Sequence, residues 1–502
     1  MKWAWVLVCA ATLSAADRPP LHLPANAIPV SGESPFAAGC DGRQTGQNFL
    51  HSAVEPWLAV NPKDALHLIG LWQQDRWANG AARGLLAAVS LDGGHTWRQS
   101  VAPFTACSAG ISRFLRASDP WVSISPSGVA FAISLSLSAS SAAQAILVSS
   151  SADGGAHWGP AVTILEDQSD DVFDDKESIT ADPLNSSYVY SVWDRLQGLN
   201  SRRQSDFRGP VWFARTSDGG ATWEPARAIY DTGPNAQTIG NQIVVLPDGT
   251  LIDLCTAIQN ATAPLVRDEG TSLVILRSRD KGVTWSAPTT VAETRPVGVS
   301  DVKTGVPVRT SGVIATIAAD PSTAALYVAW QDGRFSNGAR EGIAFSRSLD
   351  GGLTWSAPEQ INQVTDVQAF TPAMAVSRDG RLAVTYYDFR KDTDDPKVLL
   401  TSYWRLMSAD GGRTWSEAAM AEPFDLSSAP LVEGGLFLGD YQGLAAAGDG
   451  FVSLFALSGS SGIPSQVFAA SRPFGTDRLH NGHVEVNRYL LRREIEKGKK
   501  RK

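Results

Sequence analysis

Apolar positions in this chain fall in short runs bounded by Gly, Pro, Asn and Asp, the pattern of β-strands joined by turns. Pro56-Trp-Leu-Ala-Val60, His67-Leu-Ile-Gly-Leu-Trp72 and Gly84-Leu-Leu-Ala-Ala-Val89 follow one another closely. Comparable runs recur at Ser178-Ile-Thr-Ala181 and Tyr188-Val-Tyr-Ser-Val-Trp193, and again at Gly312-Val-Ile-Ala-Thr-Ile317 and Ala325-Leu-Tyr-Val-Ala-Trp330. The third run of a set leads into a turn of fixed composition, Ser90-Leu-Asp92-Gly-Gly-His-Thr-Trp97 in the first.

The turn returns five times, at Asp153, Asp218, Asp280, Asp350 and Asp410, with spacings of 61, 65, 62, 70 and 60 residues counted from Asp92. Its logic is that of a hairpin. The Asp carboxylate accepts backbone N–H bonds across the turn, the glycines supply positive φ, and the Trp packs back over the turn. Two strands before the turn, one leading into it and one leaving it make four short strands in a period of about sixty residues, which is a β-propeller blade.

This motif resembles the Asp box of the BNR-repeat proteins of the sialidase superfamily, from about residue 45 to about residue 475. The reading is all-β: a β-propeller of four-stranded blades joined through Asp-box turns. After the sixth box, Tyr441-Gln-Gly-Leu-Ala-Ala-Ala447, Phe451-Val-Ser-Leu-Phe-Ala456 and Gln466-Val-Phe-Ala-Ala-Ser471 supply three strands without a box. A strand from residues 22–50 would complete this last unit and close the ring. Seven blades are favoured; six, the number in the family's sialidases, is the alternative.

The ends of the chain read differently. Residues 1–16 combine a basic start, an apolar run from Trp3 to Leu13 and small residues before Asp17, as in a secretory signal. The propeller then covers 17–480, and 481–502 is a basic tail, best read as a solvated segment. The protein is expected to be secreted or periplasmic, with no membrane span. Composition agrees with a large β core: 43% hydrophobic, 45 Gly, 16 Trp and only 4 Met. A net charge of −8 argues against nucleic acid as a partner. Of the cysteines beyond the signal, Cys40 and Cys107 are the pair to test for a disulfide.

Candidate chemistry belongs at the mouth of the central channel, since the Asp-box carboxylates are consumed by their turns. Inner strands begin at Glu55-Pro-Trp57, Asp119-Pro-Trp121, Asp175-Lys-Glu177, Asn241-Gln242, Arg309-Thr-Ser311, Phe370-Thr-Pro372 and Asp440-Tyr-Gln442. Second strands end in an aromatic residue, an Asp and an Arg at Trp72…Asp75-Arg76, Trp193-Asp-Arg195, Trp330…Arg334 and Tyr386…Arg390. Either each Asp–Arg pair pins its own loop, or the arginines converge to fork onto a substrate carboxylate.

The family resemblance implies a glycoside hydrolase releasing a terminal acidic sugar such as sialic acid. Arg76, Arg195, Arg334 and Arg390 then form the clamp and Trp57 stacks on the sugar. Asp75 or Asp119 serves as the acid, and Tyr441 or Tyr387 as the nucleophile. The family's Phe/Tyr-Arg-Ile-Pro motif is missing; Phe207-Arg-Gly-Pro210 lies in another blade and lacks the Ile. This keeps open a paired-carboxylate mechanism using Asp119, Asp175 and Glu177, and a propeller that binds glycan or protein without catalysis. No cofactor is expected, except that the acidic run at 166–177 offers carboxylates to Ca²⁺ without an EF-hand spacing.

Overall fold

The computed structural model describes residues 27–473, apart from 109–111, 139–140, 260–269 and 461. The expected signal and basic tail lie outside the described residues. The structure is all-β, and no helix among the described residues is long and apolar enough to cross a membrane.

Seven four-stranded antiparallel units follow one another, over 48–101, 116–167, 172–230, 236–293, 316–360, 369–425 and 443–473. The seventh borrows its fourth strand from the other end of the chain: Ala27–Pro29 pairs with Ile463–Pro473, Ala27 opposite Ala470. A further small sheet joins Val299–Ser300, Pro307–Arg309, Gly435–Phe437 and Leu431–Val432. Its middle pair is parallel, Val308 opposite Leu436, and connects the approaches to the fifth and seventh units.

The first strands of successive units are stitched by side chains. Ser178 Oγ donates to the Asn241 carbonyl and Gln242 Nε2 to that of Ala315, both at 2.8 Å. The Thr371 N–H donates to Gln331 Oε1 at 2.8 Å, and Gln442 Nε2 reaches the Thr371 carbonyl at 2.5 Å. The seventh and first units meet where the Glu55 N–H donates to the Leu438 carbonyl at 3.0 Å. Buried hydrogen bonds of this kind supplement the short ladders that link the first unit to the second at Ala82 and Ala117 and the third to the fourth at Arg208 and Ala236.

The Asp boxes behave as read. Asp92 Oδ1 accepts from the N–H groups of His95 and Thr96 at 3.0 and 2.9 Å, and the Thr96 hydroxyl donates to Oδ2 at 2.6 Å. The Thr96 hydroxyl and N–H hold this carboxyl down at about 2. The second glycine of each box does more than turn the chain. A Cβ on Gly220 would sit 2.7 Å from Phe131 of the preceding unit, one on Gly282 2.5 Å from Phe213, and one on Gly412 2.5 Å from Phe345. These three boxes press their turns against an aromatic ring of the unit before them, and the turns at Gly155 and Gly352 meet Ile69 and Ile275 there instead.

Cys40 and Cys107 are joined, with Cα atoms 5.0 Å apart. The bond ties the segment after Ala27–Pro29 to the link between the first two units. Gly412, with φ of 82°, allows a direct test of the latch. Gly412→Ala should cost about 2–3 kcal/mol through strain and the Phe345 clash. Gly32→Ala, in open space, should stay within about 0.5 kcal/mol. Urea denaturation of both variants checks this; equal stability would mean that the boxes do not couple the units.

Candidate active site

One backbone device places the central side chains. The first strand of most units is interrupted at the same point by a bulge, with a left-handed residue there: Glu55 (φ 53°), Asp119 (50°), Lys176 (53°), Gly240 (72°) and Thr371 (49°). Ser311 (φ 44°) stands at the corresponding place in the fifth unit. A non-glycine residue in this region costs about 1 kcal/mol. The bulge also explains three prolines inside strands, since Pro56, Pro120 and Pro372 fall where the ladder is already broken.

The result is a buried charge cluster. Lys176 Nζ lies 2.7 Å from Asp119 Oδ1, 2.8 Å from Asp440 Oδ2 and 3.4 Å from Glu55 Oε1. Arg309 grips Asp440 with Nε at 3.1 Å and Nη2 at 2.6 Å. Phe437, at the end of the small sheet, stands between Arg309 and Arg76, their guanidinium carbons 4.8 and 4.9 Å from its ring centre. Gln73 completes the connection, accepting from Arg76 Nη1 at 2.7 Å and donating to Glu55.

Burial raises the Glu55 carboxyl to about 7 against the pull of Lys176. Burial likewise raises half-buried Asp175 to about 7, again opposed by Lys176. Burial alone would raise Asp440, but Lys176 and Arg309 outweigh it and hold that carboxyl low. Burial would lower the Lys176 ammonium, yet Asp119, Asp440, Glu55 and Asp175 keep it well above its ordinary value.

Beside this cluster opens a small pocket lined by Trp121, Lys176, Glu177, Gly240, Asn241, Gln242, Ile314 and Tyr441. Glu177 is 1% exposed, and neither carboxyl oxygen has a well-formed hydrogen bond. Burial, reinforced by Asp119, raises this carboxyl well above the usual range, which favours its protonated form. The Asn241 amide is equally buried and likewise without hydrogen bonds on either atom. Trp57 stacks on Trp121 with ring centres 3.3 Å apart, and Tyr441 meets both edge-on.

Of the residues singled out from the sequence, Asp119, Glu177, Tyr441, Trp57 and Arg76 gather around this centre. The other arginines do not converge. Arg195 is engaged by Asp174 at 2.9 Å and by Asp167. Arg334 lies on its own Asp332, through Nε at 2.9 Å and Nη2 at 2.8 Å. Arg390 bridges Asp388 and Glu417, both at 2.5 Å. Arg334 and Arg390 thus pin their own loops through the Asp two residues before, the structural alternative weighed above, whereas Arg195 bypasses Asp194 and ties Asp174 of its own unit to Asp167 of the second.

Asp75 is also away from the cluster, accepting from Ser34 Oγ at 2.7 Å, the His51 N–H at 2.7 Å and Arg83 at 2.9 Å. Tyr387 is packed among Phe370, Tyr403 and Phe424, its hydroxyl on the Ala456 carbonyl at 2.8 Å. Tyr441 is held neutral by burial and by the surrounding acids, and its hydroxyl reaches the Pro120 carbonyl at 3.4 Å. The acidic run at 166–177 spreads out: Glu166 goes to Arg113, Asp167 and Asp174 to Arg195, and Glu177 to the pocket.

Glu55, Lys176, Arg309 and Asp440 were visible only as entries to inner strands. The signal that could have promoted two of the central acids is the repeated acid-Pro-Trp of Glu55-Pro-Trp57 and Asp119-Pro-Trp121. Nothing local marks Lys176, whose partners come from three other units.

The buried acid has a measurable signature. Because the Glu177 carboxyl is raised on folding, the stability it contributes is complete below about pH 4.5 and lost as pH rises toward its folded value. Glu177→Gln removes that loss. Urea denaturation should find variant and wild type similar at about pH 4, and the variant more stable by roughly 2 kcal/mol or more at about pH 8. A gap that does not change with pH would show that Glu177 is ionised in the folded protein.

Residues 210–429 match the model of the BNR repeat-like domain. No curated protein sequence matches the chain. Among solved structures it is similar to a Hadza microbial sialidase at 16% identity, covering 82% of this chain and 75% of that one, with a TM-score of 0.45. It is similar to an α-L-arabinofuranosidase from Fusarium graminearum at 10% identity, covering 90% and 98%, with a TM-score of 0.46. A variant of the NanB sialidase from Streptococcus pneumoniae is 10% identical, covering 90% and 99%, with a TM-score of 0.45. Residues 210–429 thus carry a BNR repeat-like domain, and the Asp boxes at Asp92 and Asp153 continue the same motif ahead of it.

Proposed function

We propose that the protein is a glycoside hydrolase that works from the middle of a seven-bladed propeller, its ring closed by Ala27–Pro29 on the last blade. The observation that carries this reading is the pair formed by buried Glu177 in the pocket and Asp119 on Lys176. Cleavage of a glycosidic bond usually needs a protonated carboxyl to supply the leaving oxygen with its proton and a second carboxylate beside it. Glu177 fills the first role and Asp119 the second. The Asn241 amide offers a donor and an acceptor for sugar hydroxyls, and Trp121 with Tyr441 forms an apolar wall.

The sugar itself is best read as uncharged. A sialic acid carboxylate needs a guanidinium to fork onto, yet Arg195, Arg334, Arg390 and Arg309 already hold carboxylates, and Arg76 is buried against Phe437 with Nη1 on Gln73. Such a substrate would also approach Asp119, Asp175 and Asp440. A neutral sugar instead brings hydroxyl donors, which an acid-rich pocket accepts. An export signal in residues 1–16 would put this activity outside the cytoplasm, a reading that the Cys40–Cys107 disulfide supports.

A panel of fluorogenic neutral furanosides and pyranosides, with sialosides and uronides as the acidic arm, tests the reading. Release is expected from a neutral member, falling about 10²–10⁴-fold in kcat in Glu177→Gln and Asp119→Asn. Release from sialosides alone would restore the acidic sugar. Binding of sugar without any release would favour the non-catalytic propeller.

A further inference from the structure

We propose that Lys176 is a built-in cation, a tethered ammonium that takes the place a metal ion would fill among the carboxylates of three other units. Its partners are Glu55 of the first unit, Asp119 of the second and Asp440 of the seventh, at 3.4, 2.7 and 2.8 Å. The Lys176 side chain is 7% exposed, and those of its three partners are 1–2% exposed. An ammonium has three N–H donors, one for each of these oxygens. Three carboxylate oxygens converging on one point are also the hard donor set that Ca²⁺ takes at slightly shorter range.

The other charges facing this point are accounted for by their elements. Arg309 neutralises Asp440 from the fifth unit, Arg76 approaches Glu55 from the second strand of the first, and Asp175 and Asp194 belong to the third. Acids therefore outnumber cations there, and withdrawing the ammonium leaves a cavity lined by carboxylates that had shared it. The left-handed backbone at Glu55, Asp119 and Lys176 shows that the fold accepts strain to bring these groups together. This inference does not rest on the glycosidase reading, because stability and metal binding report on it without turnover.

The test compares Lys176→Ala, which vacates the space, with Lys176→Met, which fills it without charge. Melting temperatures are measured in EDTA and in millimolar CaCl₂, with calorimetric titration of Ca²⁺. Lys176→Ala should melt about 5 °C or more below wild type in EDTA, recover much of that loss in Ca²⁺ and bind one ion. Wild type and Lys176→Met should show no Ca²⁺ response. Should Lys176→Ala fail to fold in EDTA, its refolding yield with and without Ca²⁺ reads the same property. An alanine variant as stable as wild type in EDTA, or one whose melting and yield ignore Ca²⁺, would overturn the proposal.

Discussion

A single ammonium group, sealed from water and shared by carboxylates from three different units, sets the terms for the middle of this molecule. Burying any one of these acids in its charged form would be prohibitive alone. Placed around Lys176 the acids satisfy one another's electrostatic demands unevenly, and that unevenness creates chemistry. Asp440, with Arg309 as a second partner, is held low. Glu55, with less help, is raised to about 7. Glu177, one residue beyond Lys176, is raised well above the usual carboxylate range by burial and by Asp119. Neighbouring acids in one small space thus differ in their readiness to hold a proton, which is the condition acid–base catalysis requires.

The scaffold serves this arrangement at two radii. At the Asp boxes, each turn is fixed by its carboxylate and a glycine is pressed against an aromatic or aliphatic side chain of the previous unit, so that relative placement is set by packing. At the centre, the bulge swings Glu55, Asp119 and Lys176 toward one point. The small sheet adds a third element, since its parallel strands bring Arg309 and Phe437 side by side at the seam between the first and seventh units. Apart from this sheet, the units follow one four-stranded plan, and the chemistry lies in the few residues at their inner ends.

The repeat made the architecture legible, because the Asp box is contiguous and its chemistry is local. Strand runs, turn glycines and the strand borrowed from near the N-terminus could all be read along the chain. The site was legible only where a local signal coincided with it, as at Asp119, Glu177, Trp57 and Tyr441. The aromatic-Asp-Arg endings misdirected attention for a physical reason: an Arg two residues after an Asp can bond to it directly, and Arg334 and Arg390 do so. Lys176 could not be singled out, since its meaning lies in oxygens 57, 121 and 264 positions away along the chain.

The central claim is that Lys176 remains a charged ammonium among the carboxylates of other units. Selective ¹⁵N labelling of lysine side chains and an NMR titration of their Nζ resonances examines that charge directly. Lys176 should give a resonance protected from solvent exchange that stays in the ammonium form after the exposed lysines have titrated. Its disappearance in Lys176→Arg would assign it. A Lys176 signal that titrates with the exposed lysines, or below them, would mean that the carboxylates do not hold the charge, and the account of the centre would fail.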